Sequence, residues 1–345
     1  MQGCREWLRN VSCGTVAASA AGENENRTFN EEYMEKRKIG SLDVSVVGLG
    51  CNNFGWRIDA SATARVVDAA LDAEINFFDT ADTYATGKSE EFLAQALKGR
   101  WSRVVIATKF GSKMAEGREG ARPDYIRSAV EDSLRRLGTD RIDLYQLHKP
   151  DPKTPIADTL EALDGLVKAG KVREIGGSNF SAEQIRQADA AVRPGAARFV
   201  SIQNEYSLMH REPEKDVLPE CIRRNLAFLP YFPLANGLLT GKYRAGQAPP
   251  PGSRASDGFG PKVFTEENLA LVDSLRQFAE AHGRSLLDLA FSWLASRPAV
   301  ASVIAGAKSP EQVSANARAA DWKLTDSELA EVDRIIAQHG SKVLQ

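Results

Sequence analysis

From Val44 onward the chain alternates between short β-branched apolar runs and longer stretches with helical spacing of apolar residues. The short runs are Val44–Leu49, Ile75–Phe78, Val104–Thr108, Ile142–Leu147, Val172–Ile175, Phe199–Ile202, Leu226–Leu229 and Ser302–Ile304, each followed by turn residues. Between two of them, Pro123–Leu137 sets Ile126, Val130, Leu134 and Leu137 on one face and meets Gly138, which predicts a helix and its stop. Ser181 with Gln184, and Thr325 with Glu328, have the spacing of capping boxes and mark further helix starts. Strands that alternate with helices are parallel and joined by crossovers. Eight such units predict a closed (β/α)₈ TIM barrel, a fold of about 250 residues. A doubly wound sheet would carry G-x-G-x-x-G at its first strand-to-helix turn. Here Gly48-Leu49-Gly50-Cys51-Asn52-Asn53 has Asn in the third glycine's place, and no acidic residue ends a well-placed second strand.

Residues 1–33 stand outside this pattern. Val11 to Gly22 is mostly small residues, and Glu23 to Glu32 is rich in Asn and Glu. Val16 to Ala21 is too short and too weakly apolar for the core of a secretory signal. Arg5, Arg9 and nearby serines faintly resemble a transit peptide, but acidic residues follow at once. The expectation is a flexible extension over 1–33 and a single folded unit over 34–345, with Met34 as its natural start.

Composition narrows the function. With 44 Lys and Arg against 46 Asp and Glu, the chain lacks the basic surplus of a dedicated nucleic-acid binder. A hydrophobic fraction of 43% supplies a buried core. No run approaches the ~18 apolar residues of a membrane span, so no membrane partner is expected. Four cysteines without a C-x-x-C pair do not make a disulfide framework, and the chain reads as a cytoplasmic protein. The four histidines are scattered and H-E-x-x-H is absent, so no metal site is expected.

In an α/β barrel the working face is the C-terminal end of the strands. The second predicted strand ends in Asp79, the third in Lys109 and the fourth in His148, with Tyr84 five residues past the acid. Singly, each has an ordinary explanation: a turn residue, a rim charge, a core histidine, a surface aromatic. Together they make a proton-transfer unit. A phenol near pKa ~10 is a poor acid at neutral pH. A neighbouring ammonium lowers that value by stabilising the phenolate, and a carboxylate keeps the ammonium charged and oriented. An imidazole beside the phenol can orient a carbonyl by hydrogen bonding. Such a site protonates an oxygen that is becoming an alkoxide, as carbonyl reduction by hydride requires, with the hydride coming from a cofactor.

The segment Phe78-Asp79-Thr80-Ala81-Asp82-Thr83-Tyr84, followed by Ser89-Glu90, resembles the F-D-T-A-x-x-Y…S-E motif of the aldo-keto reductase family. The resemblance runs from Lys36 to about Gln338. It implies Tyr84 as general acid/base, Lys109 as its modulator, Asp79 as the partner of Lys109 and His148 as the carbonyl-orienting group. It further implies that Ser178, Asn179 and Gln203 hold a nicotinamide carboxamide, and that Tyr231 stacks on the ring. For Gln203 and Asn204, pairing with neighbouring strand ends is the alternative. Pro233 to Lys242 resembles the family's P-L-x-x-G-x-L-T-G-K loop over the pyrophosphate, so Leu234, Gly237 and Lys242 are cofactor candidates. The Gly, Pro and Ser-rich stretch from Ala245 to Pro261 is either a fold over the cofactor or a plain insertion.

Ser309 and Pro310 mark a helix start, Gln312 has the spacing to complete a capping box, and Lys308 precedes it, so this is a natural phosphate site. In the family the place holds the adenosine 2′-phosphate, which adds Gly306, Lys308, Gln312 and Asn316 to the cofactor set and favours NADPH over NADH. Phe232, Ala305 and Ala315 depart from the family's usual Ser, Pro and Glu, and none of them belongs to the tetrad. Phe54 and Trp56, in the loop after the first strand, are candidates for the substrate pocket or for packing at the rim. The resemblance implies an NADP(H)-dependent reductase of an aldehyde or ketone, or an oxidant of the matching alcohol or sugar. Its alternative is a nicotinamide-binding regulatory subunit like the channel β subunits built on the same barrel.

Overall fold

The structure is a computed structural model that describes residues 34–244, 246–251, 253, 255–256 and 263–339. The extension over 1–33 lies outside the described residues, as does much of the stretch from Ala245 to Pro261. The chain opens with an antiparallel hairpin, β1 (Lys36–Ile39) and β2 (Leu42–Ser45), turned at Gly40. Eight strands follow: β3 (Val47–Gly50), β4 (Phe77–Asp79), β5 (Val105–Phe110), β6 (Ile142–Leu147), β7 (Val172–Ser178), β8 (Phe199–Glu205), β9 (Ala227–Tyr231) and β10 (Val303–Gly306). They form one parallel sheet in the order β10-β3-β4-β5-β6-β7-β8-β9. Its two ends meet where Phe228 N–H donates to Ala299 C=O (2.7 Å) and Phe228 C=O accepts from Ala301 N–H (3.0 Å). With helices between the strands, this is the expected (β/α)₈ barrel.

The apolar run at Val44 divides into two elements rather than one strand. The Ser45 hydroxyl donates to Val47 C=O (2.7 Å) and accepts from Asn76 N–H (3.1 Å), and this local competition breaks the strand at Val46. The hairpin so released folds across the N-terminal end of the barrel. Ile39, Leu42 and Val44 pack there against Phe77, Val105, Leu144 and Leu229. β5, β7, β8 and β9 all run beyond their apolar stretches into polar residues, ending at Phe110, Ser178, Glu205 and Tyr231. The backbone ladder continues where hydrophobicity stops, and these extra residues reach the C-terminal mouth.

The helix Pro123–Leu137 has the predicted bounds, with Gly138 in the left-handed conformation (φ 64) as its stop. Ser181 with Gln184, and Thr325 with Glu328, form reciprocal capping boxes. At Pro310–Arg318 the box is incomplete: Ser309 accepts from Gln312 N–H, but the Gln312 side chain takes Lys308 N–H (2.8 Å). Gln312 therefore closes the turn one residue earlier than expected. Among the described residues no helix is long and apolar enough to cross a membrane, and no His/Cys/Asp/Glu group has the makings of a metal site.

Candidate active site

The ends of β4 and β5 deliver an ion pair to the interior of the mouth. Lys109 Nζ donates to Asp79 Oδ2 (2.5 Å) and to Thr80 C=O (2.8 Å), with the Lys109 side chain fully buried. Asp79 Oδ1 accepts from Gln203 Nε2 (2.9 Å) and Gln146 Nε2 (3.3 Å), so both carboxylate oxygens are satisfied. A buried ion pair tolerates the loss of neither partner, and breaking one costs about 3–5 kcal/mol. Above it, Lys109 Nζ lies 5.2 Å from the centroid of the Tyr84 ring. Tyr84 in turn meets His148 edge-on, with centroids 6.0 Å apart. The four residues expected from the sequence thus come together.

Their electrostatics differ from expectation at one point. Burial is the strongest influence on the Tyr84 phenol and pushes its pKa up. The nearby Lys109 pulls it down without winning, and Asp79 adds to the rise. The expected net lowering is therefore reversed, because the ring is desolvated as well as paired. Burial also works against a charged Lys109, but Asp79 and Tyr84 outweigh it and hold the ammonium above its ordinary value. For His148, burial, then Lys109 and Lys149, pull the imidazole down to about 3. At neutral pH the site therefore holds a protonated phenol, a protonated amine and a neutral imidazole. His148 Nδ1 is buried without a hydrogen-bond partner among the described residues.

Tyr84 begins a one-turn segment that is conformationally unusual. Ala85 (φ 49), Thr86 (φ 56) and Gly87 (φ 88) are successively left-handed. A left-handed non-glycine residue costs about 1–2 kcal/mol and normally occurs singly.

A cavity of about 620 Å³ opens above this floor and is walled by Asp79, Tyr84 and His148. Ser178, Asn179, Gln203, Tyr231, Leu234, Gly237, Lys242, Gly306, Lys308, Gln312 and Asn316 all line it as well. The central polar groups are tied to one another. The Tyr231 hydroxyl donates to Asn179 Oδ1 (2.8 Å), Asn179 Nδ2 to His148 C=O (2.9 Å), and the Ser178 hydroxyl to Gln203 C=O (2.8 Å). Asn204 pairs with both backbone groups of Phe180, the structural alternative for that residue.

The loop after β3 corrects one expectation. Phe54 is fully buried in the hydrophobic core rather than facing the pocket. Trp56 is 55% exposed and does not wall the cavity, whereas Arg57, stacked 4.4 Å from its ring, does. The reason is local. Asn53 C=O accepts from the N–H groups of Trp56, Arg57 and Ile58, which curls the loop back and brings residue 57 to the mouth. Asn52, Asn53 and Arg57 are thus site-lining residues missed in the sequence, and the one available signal was a cation just past the first strand's turn. Cys51, beside the pair, is completely buried, and that burial raises its thiol well above the ordinary value. It is an inert packing residue.

A buried Lys–Asp pair thus lies beneath a phenol and an imidazole at the C-terminal mouth of a TIM barrel. Comparison with known proteins supplies the family. The model of the aldo/keto reductase family matches residues 46–337. The aldo-keto reductase YhdN of Bacillus subtilis is 35% identical over 315 residues, covering 88% of this chain and 93% of its own. A probable voltage-gated potassium channel subunit beta of Oryza sativa is 33% identical over 300 residues, covering 84% and 92%. Among solved structures, the glycerol dehydrogenase of Gluconobacter oxydans superposes with a TM-score of 0.77 at 34% identity, covering 90% of this chain and 97% of that one. The chain belongs to the aldo/keto reductase family, and so to the oxidoreductases that act on carbonyl or alcohol groups.

Proposed function

We propose that this protein is a cytoplasmic, NADP(H)-dependent reductase of aldehydes or ketones, able to oxidise the matching alcohol or sugar, with Tyr84 as general acid. The observation that carries the reading is the Tyr84 phenol set over the buried Lys109–Asp79 pair and beside a neutral His148 at the floor of the cavity.

The cavity's donor set fits a phosphorylated dinucleotide. Arg57, Lys242 and Lys308 line it, while its floor carboxylate, Asp79, is already neutralised by Lys109. One wall is the start of the helix Pro310–Arg318, whose N–H groups favour an anion. Another is the turn at Ala235 (φ 44), Asn236 (φ 57) and Gly237 (φ 99), a run of left-handed backbone beside Lys242. Lys308, Gln312 and Asn316 would hold the adenosine end, Leu234, Gly237 and Lys242 the phosphates, and Ser178, Asn179, Gln203 and Tyr231 the nicotinamide. The bound nicotinamide supplies or accepts hydride. Lys308 at a helix N-terminus favours the 2′-phosphorylated form, NADPH over NADH.

The protein's own groups account for the proton. His148, neutral at working pH, donates a hydrogen bond that orients the carbonyl oxygen. Tyr84 gives its proton to that oxygen as negative charge develops on it. Lys109 then faces a phenolate, whose charge it stabilises, and Asp79 keeps the ammonium fixed beneath it. In the reverse direction the phenolate takes the alcohol proton.

A second reading, a nicotinamide-binding regulatory subunit, has support in the rice relative, which is named as a channel subunit. NADPH absorbance followed with a panel of aldehydes, for wild type beside Tyr84→Phe, separates the two. Turnover by wild type, absent from a variant that still binds NADPH, supports the reductase. Tight binding with no turnover by either protein moves the regulatory reading ahead.

A further inference from the structure

Ser89-Glu90 belongs to the tetrad's own sequence motif, yet neither residue lines the cavity. Glu90 is a fully buried carboxylate. One of its oxygens accepts from Arg136 Nε (2.6 Å) and the other from the hydroxyl of Thr108 (2.6 Å). Thr108 is the residue before Lys109 on β5, so Glu90 is fixed to the strand that carries the amine. Arg136, in the last turn of the helix Pro123–Leu137, also donates to the Ser133 hydroxyl (3.2 Å). Its stem lies flat on Gly87: a Cβ at that position would come within 2.7 Å of Arg136 Cδ and 2.9 Å of Nε.

These contacts converge on the left-handed turn after Tyr84. Before that turn, Asp82 N–H donates to Lys109 C=O (3.1 Å). After it, Glu90 holds Thr108, and Arg136 lies over its last residue, Gly87. The turn is clamped at both ends to the strand bearing Lys109. Left-handed residues in succession persist only where the surroundings over-determine them.

We propose that Glu90 and Arg136 are positioning residues for the reaction: a buried carboxylate–guanidinium brace that fixes the Tyr84 phenol over Lys109. The inference rests on the reductase reading for its kinetic consequence, but the placement of the phenol is measurable without turnover. If the brace is lost, the turn relaxes and Tyr84 moves off Lys109, which changes both the charge and the burial that the phenol meets. Small misplacements of reacting groups cost rate far more than binding.

The test compares wild type, Glu90→Gln, Arg136→Lys and the double variant Glu90→Gln/Arg136→Met. The double variant removes both charges together, so neither ion is left buried without its counterion as it is in a single variant. Two quantities are read on each: kcat with NADPH and an aldehyde turned over by wild type, and ultraviolet titration of Tyr84, isolated by subtracting the curve of Tyr84→Phe. NADPH binding and thermal melting are the controls. Expected are a kcat lower by about tenfold or more in Glu90→Gln and the double variant, unchanged NADPH binding, and a Tyr84 titration displaced from its wild-type position. Arg136→Lys, which keeps the charge, retains most of both wild-type values. A folded double variant with wild-type kcat and wild-type Tyr84 titration overturns the proposal. If wild type turns over no carbonyl, the reductase reading has failed instead, and the titration alone decides the brace.

Discussion

The two ends of the barrel are built from the same strands and differ in what alternate residues carry. On β4, Phe77 faces the closed end and Asp79 the open one. On β5 the order is Val105, Ala107, Lys109, and on β6 it is Leu144, then Gln146. Two residues along a strand, about 7 Å, separate an apolar plug from a buried ion pair. The closed end is stabilised by non-directional burial of Ile39, Leu42 and Val44 against those side chains. The open end is held by directed contacts, with Asp79 taking one ammonium and two amides. The plug can therefore lose volume and keep its function, whereas the polar layer loses function on removal of one atom.

That contrast can be broken in graded steps. The largest expected effect is on Tyr84→Phe, which removes a single hydroxyl. Turnover should fall by about 10²–10⁴, with NADPH affinity and melting temperature unchanged, as checked by steady-state kinetics and fluorescence titration. Next is Lys109→Met, which orphans Asp79. Chemical denaturation should show a loss of about 3–5 kcal/mol together with the loss of turnover. Leu144→Ala at the plug should cost about 2–5 kcal/mol and leave kcat/KM near wild type at low temperature. Equal kinetic damage from both would erase the distinction between the two ends.

Two pH effects are smaller. His148 is held down to about 3 in the folded chain against 6.5 in its ordinary state. Between those values the unfolded chain binds the extra proton, so stability declines as pH falls through this window. Replacing His148 with Gln should flatten the dependence, read as melting temperature from pH 7 to pH 4. Asp82 behaves in the opposite sense. Burial, then the charge of Glu90, push its carboxyl up to about 7, against the pull of Arg136 and Lys109. The folded chain keeps a proton that the unfolded chain has lost between the ordinary 3.8 and that value, so stability declines as pH rises through that window. Asp82→Asn should therefore melt about 2–4 °C higher at pH 8 and gain little at pH 4. A gain that is the same at both values would show that the group stays ionised.

The barrel was legible because each strand's buried core is an apolar run, and so was the tetrad, because each member sits one residue past such a run or a short motif away. What was not legible depends on backbone geometry that residue type does not encode. Ser45 splits an apolar run by bonding its own neighbours, and nothing in Val44-Ser45-Val46 announces it. The loop at Asn53 curls so that Phe54, the obvious aromatic, goes into the core and Arg57 goes to the mouth. The sign of the Tyr84 shift could not be read from its neighbours alone, since Lys109 acts as expected and burial exceeds it. Glu90 was visible as a motif letter, but its partner Arg136 lies 46 residues away.

The hairpin across the N-terminal end is a fastening as well as a floor. Arg37 on β1 donates to Val300 C=O (2.6 Å), between Ala299 and Ala301, the two residues whose backbone pairs with Phe228 where the ends of the sheet meet. The segment that enters the first barrel strand thus latches the seam at which the last one arrives, while Ile39 and Leu42 cover the apolar layer beside it.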